Sequence, residues 1–181
     1  MATIDSLRIT QVANDDDVKG ILALHQANLR TRISPEEAQA EGFCTAEYDL
    51  SFLKKMKGSI IAKTVDGEVV GYVLCVTREL FGLHPLLDSL FEEIDKIVRV
   101  NYCVCGQLCV AKGYRGQGLA GKLYAAFRST LEVRYDACCT DVASDNPRSL
   151  RAHEKVGFET ISSVFHDRVR FDIVKWDWRH R

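Results

Sequence analysis

The sequence predicts an α/β fold in which a central mixed β-sheet carries helices on both faces. Apolar residues alternate in some segments, which indicates strands, and recur every three or four residues in others, which indicates helices. Asp66-Gly67 joins two strand-like runs as a hairpin, whereas strands and helices alternate after residue 101. Antiparallel and parallel pairs are therefore both expected, and we expect residues 1–181 to form a single domain.

The first half of the chain contains a strand, three helices and the hairpin. Asn14 and Ser34 precede acidic or proline-containing first turns, as N-cap residues do. The predicted elements are a strand over Leu7 to Val12, a helix over Asp15 to about Arg30, a helix starting at Ser34-Pro35, a short helix over Asp49 to Met56, and hairpin strands over Ser59 to Lys63 and Val69 to Val76.

The second half begins with a helical insertion between two strands. Asn146 and Gly157 bracket the last helix as cap residues. The predicted elements are the insertion over Leu80 to Val98, a buried strand over Tyr102 to Val110, a helix opened by Gly116 to Gly118, a strand over Ala137 to Val142, the helix between Asn146 and Gly157, and strands over Phe158 to Phe165 and Arg168 to Trp178.

Composition narrows the class of protein. The chain is 46% hydrophobic and has a formal net charge of −1, so neither a nucleic acid nor a membrane surface is an expected partner. No apolar run approaches the ~20 residues of a membrane span, and the polar start, Met1 to Arg8, lacks a signal-peptide core. We therefore expect a cytoplasmic protein.

The seven cysteines show no CxxC spacing and predict free thiols in the core rather than a metal site. Side chains alternate between the two faces of a strand. The odd-numbered positions of the predicted strand include Cys103, Cys105 and Cys109, so these three thiols are expected on the same side of the sheet.

The segment from Gln107 to Gly121 is the most informative part of the sequence. A buried strand runs into a loop containing Gly113, Gly116 and Gly118, and a helix follows. Glycines permit close backbone approach to a ligand, and the first amides of a helix attract anions. The segment therefore predicts a pyrophosphate site, to which Arg115 can add a charge-assisted hydrogen bond.

Two kinds of ligand are compatible with this loop. Gly116, Gly118 and Gly121 match the dinucleotide fingerprint, and Asp141 lies twenty residues after Gly121. The unit comes late in the chain, however, after antiparallel signals. Too few residues remain behind it for the rest of a dinucleotide fold and a substrate domain.

Two sequence motifs argue against a dinucleotide and for a second kind of ligand, the one bound by the family that the motifs resemble. Arg115-Gly-Gln-Gly118-Leu-Ala120 resembles the Q/R-x-x-G-x-G/A motif of the GNAT superfamily of N-acetyltransferases. Asn146-Pro-Arg-Ser149-Leu-Arg-Ala-His153-Glu-Lys155-Val-Gly157-Phe158 resembles its N-x-x-A/S-x-x-L-Y-x-K-x-G-F segment. The resemblance covers about Tyr102 to Phe158 and implies a GNAT-like sheet.

The resemblance also implies the site residues. Acetyl-CoA would be the co-substrate, with no metal. Its pantetheine arm would pair with the strand at Leu108, Cys109 and Val110, where an amide is a candidate oxyanion donor. Asn146 and Ser149 would contact the arm. The pyrophosphate would be wrapped by the loop residues Arg115, Gly116, Gln117, Gly118, Leu119, Ala120 and Gly121.

One departure concerns catalysis. His153 stands where the family usually has a tyrosine that protonates the departing thiolate. Histidine can donate a proton near neutrality, so His153 is the candidate general acid; its alternative is a purely packing role. The general base stays open among Glu47, Asp49, Glu79, His84 and Asp141, and a relay through water is a further possibility.

The resemblance implies direct transfer of an acetyl group to a primary amine of a small molecule or peptide, with a homodimer left open. The alternative is a non-catalytic acyl-CoA sensor, which the missing tyrosine and the unassigned base would permit.

Overall fold

The computed structural model describes residues 3–166 and 168–179 and has a seven-stranded sheet at its centre. The strand order is β1-β2-β3-β4-β5-β7-β6, in which β4 and β5 are parallel and the other neighbours antiparallel. The expected mixed sheet is confirmed. Its strands are β1 Arg8–Gln11, β2 Ile60–Lys63, β3 Val69–Val76, β4 Tyr102–Val110, β5 Ala137–Ala143, β6 Glu159–His166 and β7 Val169–Asp177.

Four helices begin at a capping side chain, and the sequence predicts three of these caps, Asn14, Ser34 and Asn146. Side chains of Asn14, Ser34, Asp49 and Asn146 each accept a hydrogen bond from a first-turn amide. The bounds are α1 Asp15–Ala27, α2 Pro35–Glu41, α3 Leu50–Leu53, α4 Pro85–Asp95, α5 Leu119–Leu131 and α6 Pro147–Val156.

Three predicted helices are too long. Helix α1 ends at Ala27 because the chain then turns so that Leu29 bridges Cys44. Helix α3 stops at Leu53. The inserted helix α4 starts only at Pro85, since Arg78–Leu80 forms a separate 3₁₀ turn. Beyond each helix the apolar pattern rests on single buried residues, Leu29, Met56 and Leu80, which pack into the core from turns.

Each face of the sheet is covered by a hydrophobic core. One core packs α1, α3 and α4 against Tyr72, Leu74 and Val76 of β3. The other packs α5 against Val70, Val73 and Cys75 of the same strand. Among the described residues, no helix has the length and apolar character to cross a membrane.

The centre of the sheet opens between the two parallel strands. Strands β4 and β5 pair only from Tyr102 to Val104, and beyond that point they separate. Strand β4 also carries a bulge at Gly106, since Gln107 pairs with Leu74 but Cys105 with Cys75. The opening leaves one edge of β4 free to receive a ligand along its backbone.

The bulge corrects one sequence-based expectation. Cys103 and Cys105 face the core under α5, whereas Cys109 faces the opposite core. The extra residue at Gly106 shifts the alternation of side chains by one position, so odd-numbered residues before and after the bulge face opposite sides of the sheet. All seven cysteines are buried and unpaired, as expected of core thiols.

Candidate active site

A long groove, lined by glycines, starts where β4 and β5 separate and runs past the N-termini of α5 and α6. Its volume is about 840 Å³. Gly116 and Gly118 have positive φ angles of 75° and 86°, which L-residues rarely adopt. A Cβ atom built at either glycine, or at Gly113 or Gly121, would meet no other atom within 4 Å. The glycine backbone therefore faces open space wide enough for a ligand; we call this the glycine groove.

The N-terminus of α5 forms the end of this groove. Four other helices use a polar side chain as N-cap, but α5 has Gly118 there. The amides of its first turn therefore have no capping side chain, and the helix dipole makes them attractive to an anion. This matches the predicted pyrophosphate site.

Arg115 does not have the free guanidinium that the sequence suggested. Its Nε donates to the Val110 carbonyl at 2.8 Å, and its two terminal nitrogens donate to Glu41 at 2.8 Å and Asn28 at 2.6 Å. The side chain is thus committed to fixing the loop against α1 and α2. A phosphate contact by Arg115 stays a prediction for its backbone.

Eleven of the twelve predicted cofactor-binding residues line the glycine groove; Gln117 does not, and its side chain donates to the Gly113 carbonyl instead. Asn146 caps α6 through Oδ1 and donates from Nδ2 to the Phe43 carbonyl at 3.3 Å. The eleven are Leu108, Cys109, Val110, Arg115, Gly116, Gly118, Leu119, Ala120, Gly121, Asn146 and Ser149.

A second, smaller cavity of about 90 Å³ meets the groove at β4; we call it the inner pocket. Phe43, Gln107, Leu108, Asn146 and Ser149 line both cavities, so the two are contiguous. The inner pocket's other lining residues are Thr45, Ala46, Tyr48, Leu86, Leu87, Leu90, Cys105, Gly106, Thr140, Asp141, Val142, Ala143, His153, His166 and Phe171.

Of the five candidates for the general base, only Asp141 lines the inner pocket. Burial raises the pKa of its carboxyl to about 6. Burial and the neighbouring Asp141 charge also raise the pKa of Tyr48, whose hydroxyl donates to the Gly106 carbonyl at 3.0 Å. Asp49 instead caps α3, and Glu47 and Glu79 are exposed.

His153 lies at the inner pocket, but both of its ring nitrogens are engaged. Nδ1 donates to the Ser149 carbonyl at 2.8 Å, so Nε2 accepts from the Tyr124 hydroxyl at 2.8 Å. Burial lowers the pKa of His153 to about 4. The ring is therefore neutral at about pH 7, and the geometry weighs against direct proton donation. The general-acid role stays a prediction.

No motif of the sequence singled out the residues that complete the inner pocket. Phe43 and Tyr48 come from the irregular chain between α2 and α3, and His166 and Phe171 come from the last hairpin. None of them belongs to a motif. The one sequence signal for Asp141 was an acidic residue within an otherwise apolar strand.

The splayed parallel strands, the glycine groove and the adjoining inner pocket leave room for two ligands side by side. Residues 21–158 match the model of the Acetyltransferase (GNAT) family, and the chain belongs to this family. It is accordingly an acyltransferase. No protein with a curated description matches it at a significant level.

Solved structures of similar fold include three N-acetyltransferases. An agmatine N-acetyltransferase variant is 15% identical with a TM-score of 0.68, and the match covers 96% of this chain and 100% of that one. The NatC complex bound to Gag peptide and CoA contains a chain 16% identical with a TM-score of 0.67, covering 96% and 99%. The Escherichia coli ribosomal-protein-S18-alanine N-acetyltransferase is 13% identical with a TM-score of 0.63, covering 94% and 93%.

Proposed function

We propose that this chain transfers the acetyl group of acetyl-CoA to a primary amine by direct attack within a ternary complex. The observation that carries the proposal is the junction of the glycine groove and the inner pocket beside Gln107, Leu108 and Ser149. A thioester held in the groove and an amine held in the pocket would meet there. Such positioning supplies a large part of the rate of a two-substrate reaction.

The residues of the groove fit acetyl-CoA. The backbone from Arg115 to Gly121 would hold the pyrophosphate, because its glycines leave room and α5 presents uncapped amides. The free edge of β4 at Leu108, Cys109 and Val110 would pair with the pantetheine arm. Asn146 and Ser149 would border the arm at the start of α6.

Chemistry at the junction requires few groups from the chain. A backbone amide near Leu108 to Val110 would stabilise the negative charge on the carbonyl oxygen, an effect of typically ~3 kcal/mol. The sulfur would leave as a thiolate into the groove, where water can protonate it. His153 is the proposed alternative donor, provided that it gives up its bond to Ser149.

The similar structures support an amine as acceptor. One is an agmatine N-acetyltransferase, one acts on an alanine of a ribosomal protein, and one holds a peptide together with CoA. Small-molecule and peptide amines are thus both reasonable substrates to assay for this chain.

Initial-rate kinetics test the proposal. The purified protein is mixed with acetyl-CoA and a panel of alkylamines and peptides, and release of the CoA thiol is followed. We expect release that depends on the amine and intersecting reciprocal plots, as a ternary complex requires. Parallel plots would indicate an acyl-enzyme instead. Binding of CoA without release for any amine would favour the sensor.

A further inference from the structure

Asp141 is a carboxylate on the wall of the inner pocket. Among the described residues that line this pocket there is no lysine, arginine or other acidic residue. Within residues 3–166 and 168–179, its side chain has no recorded salt bridge and no hydrogen bond to another side chain. Asp141 is only partly exposed, and its own backbone amide and His166 are the described groups that favour its charged form, although burial outweighs both. A cationic ligand in the pocket would offset this cost of ionisation.

The titratable groups around Asp141 do not take the place of such a ligand. His166 of β6 and His153 of α6 line the same pocket, as do Tyr48 and Cys105. His153 is neutral and bonded elsewhere. Tyr48 donates to the Gly106 carbonyl, and Cys105 lies 3.2 Å from the Tyr124 hydroxyl. His166 is close enough to Asp141 to lower the pKa of its carboxyl, although burial raises that pKa by more.

The shape of the inner pocket limits what can approach Asp141. Its volume of about 90 Å³ is roughly a tenth of the 840 Å³ of the glycine groove. Apolar walls come from Leu86, Leu87 and Leu90 of α4, together with Phe43 and Phe171. A slim alkyl arm that ends in an ammonium group fits both the apolar walls and the carboxylate.

We propose that Asp141 binds the ammonium group of an unbranched primary alkylamine and takes its proton before the acetyl transfer. This inference rests on the proposed function and assigns its general base and acceptor class. The geometric basis is the carboxylate's position, inside the pocket that opens onto the glycine groove.

The step balances as follows. The ammonium gives one proton to Asp141 and becomes a neutral amine. Its nitrogen bonds to the acetyl carbonyl carbon, the carbon–sulfur bond breaks, and the sulfur keeps the electron pair. The second N–H proton ends on the thiolate through water, and Asp141 returns its proton to solvent. The raised pKa of Asp141, about 6, suits a base that must also release its proton.

The pH dependence of kcat/KM with n-butylamine tests the assignment. Alkylammonium groups lose their proton near pH 10, so an enzyme with a base should show a plateau between about pH 6 and 10. Asp141→Asn must use the rare neutral amine, so its kcat/KM should rise about tenfold per pH unit up to about pH 10. We expect a loss of about 10²–10⁴-fold near pH 7 that shrinks towards pH 10.

Three comparisons make the result decisive. Asp145→Asn, an exposed carboxylate paired with Arg30, should keep the wild-type profile. His166→Gln should keep the plateau; if it removes the plateau while Asp141→Asn does not, His166 is the base and the proposal is wrong. α-Branched sec-butylamine should react at least about tenfold more slowly than n-butylamine because the pocket is narrow.

Failure of this inference differs from failure of the proposed function. One outcome is that the wild type acetylates amines while Asp141→Asn keeps both the wild-type kcat/KM and the plateau of its pH profile. In that case Asp141 is not the base, but the proposed acetyltransferase activity is still supported. If the wild type binds CoA but acetylates no amine, the proposed function falls and this assignment falls with it. CoA affinity of Asp141→Asn, which should equal that of the wild type, shows that the variant is folded.

Discussion

The glycine groove and the inner pocket adjoin each other but are built in opposite ways. The groove's anion site comes from one continuous segment, Arg115 to Gly121, and it offers mainly backbone. The inner pocket collects side chains from the α2–α3 connection, α4, β4, β5, α6 and the last hairpin. Recognition by backbone leaves a local signature in the sequence, whereas recognition by assembled side chains depends on the fold. On the proposed function, the groove would hold the acetyl-CoA and the pocket would select the acceptor.

The largest effect is expected from a charge placed in the groove. Gly118→Glu puts a carboxylate at the N-terminus of α5, where the pyrophosphate would lie. We expect CoA affinity to fall by about a hundredfold or more, because like charges repel and the side chain occupies the site. Isothermal titration with CoA measures the loss.

Gly67→Glu is the matched control for backbone strain. Gly67 has a φ of 89°, close to the 86° of Gly118, and likewise has no atom within 4 Å of a built Cβ, but it lies in the β2–β3 turn. Both variants should lose a similar stability of about 1–2 kcal/mol. Equal CoA affinity in the two variants would mean that the groove does not hold the phosphates.

The same contrast explains how much the sequence alone could predict. The caps Asn14, Ser34 and Asn146 act within one turn of chain, and they placed the starts of their helices correctly. The bulge at Gly106 could not be predicted, because it depends on how β4 pairs with β3.

For two side chains the sequence could not show the surroundings that the fold provides. Arg115 was expected to bind phosphate, but its partners Glu41 and Asn28 lie more than seventy residues away in sequence. Asp141 was one of five equal candidates until the fold placed it alone in the pocket. Contacts between distant segments decide such roles, and single-sequence patterns do not contain them.

The next largest effect should be a gain in stability from Asp141→Asn. The folded-state pKa of about 6 exceeds the ~3.9 of an unfolded aspartate, so the folded chain holds the proton more tightly. Stability should therefore fall as pH rises from about 4 to 6. The amide removes this penalty, and we expect about 1–3 kcal/mol of added stability near pH 7 and almost none near pH 4. Urea unfolding at both pH values measures it.

Asp17→Asn should change stability in the opposite direction. Burial raises the pKa of Asp17, but Lys63 at 2.7 Å and the backbone donors of Ala13 and Asn14 outweigh it, so the pKa is lowered overall. Its carboxylate stabilises the fold above the unfolded pKa, and this contribution is lost as pH falls through the folded pKa. We expect about 1–3 kcal/mol less stability near pH 7. Destabilisation by both variants would contradict the view of Asp141 as an unpartnered charge.

A smaller catalytic effect is expected at His153. His153→Phe removes the acceptor of the Tyr124 hydroxyl, so the melting temperature should fall. Because the ring is neutral and bonded, kcat per folded molecule should fall by less than about tenfold. A greater loss, restored by His153→Tyr, would instead support the general-acid prediction. The three proteins are compared by kcat, CoA affinity and melting temperature.

The smallest effect is expected at Cys109, although its thiol is the best placed to be a nucleophile. It lines the glycine groove, and a hydrogen bond from Cys44, together with Arg115, lowers its pKa despite burial. Burial raises the pKa of Cys105 to about 12, which leaves that thiol unreactive at neutral pH. If transfer is direct, Cys109→Ala should keep kcat and the KM for acetyl-CoA within about threefold, since the thiol contributes only packing. An acyl-cysteine route would instead lose nearly all turnover in this variant, and mass spectrometry of the wild type with acetyl-CoA alone would find Cys109 acetylated. Unmodified Cys109 and an active alanine variant would together leave the amine of the inner pocket as the group that attacks the thioester.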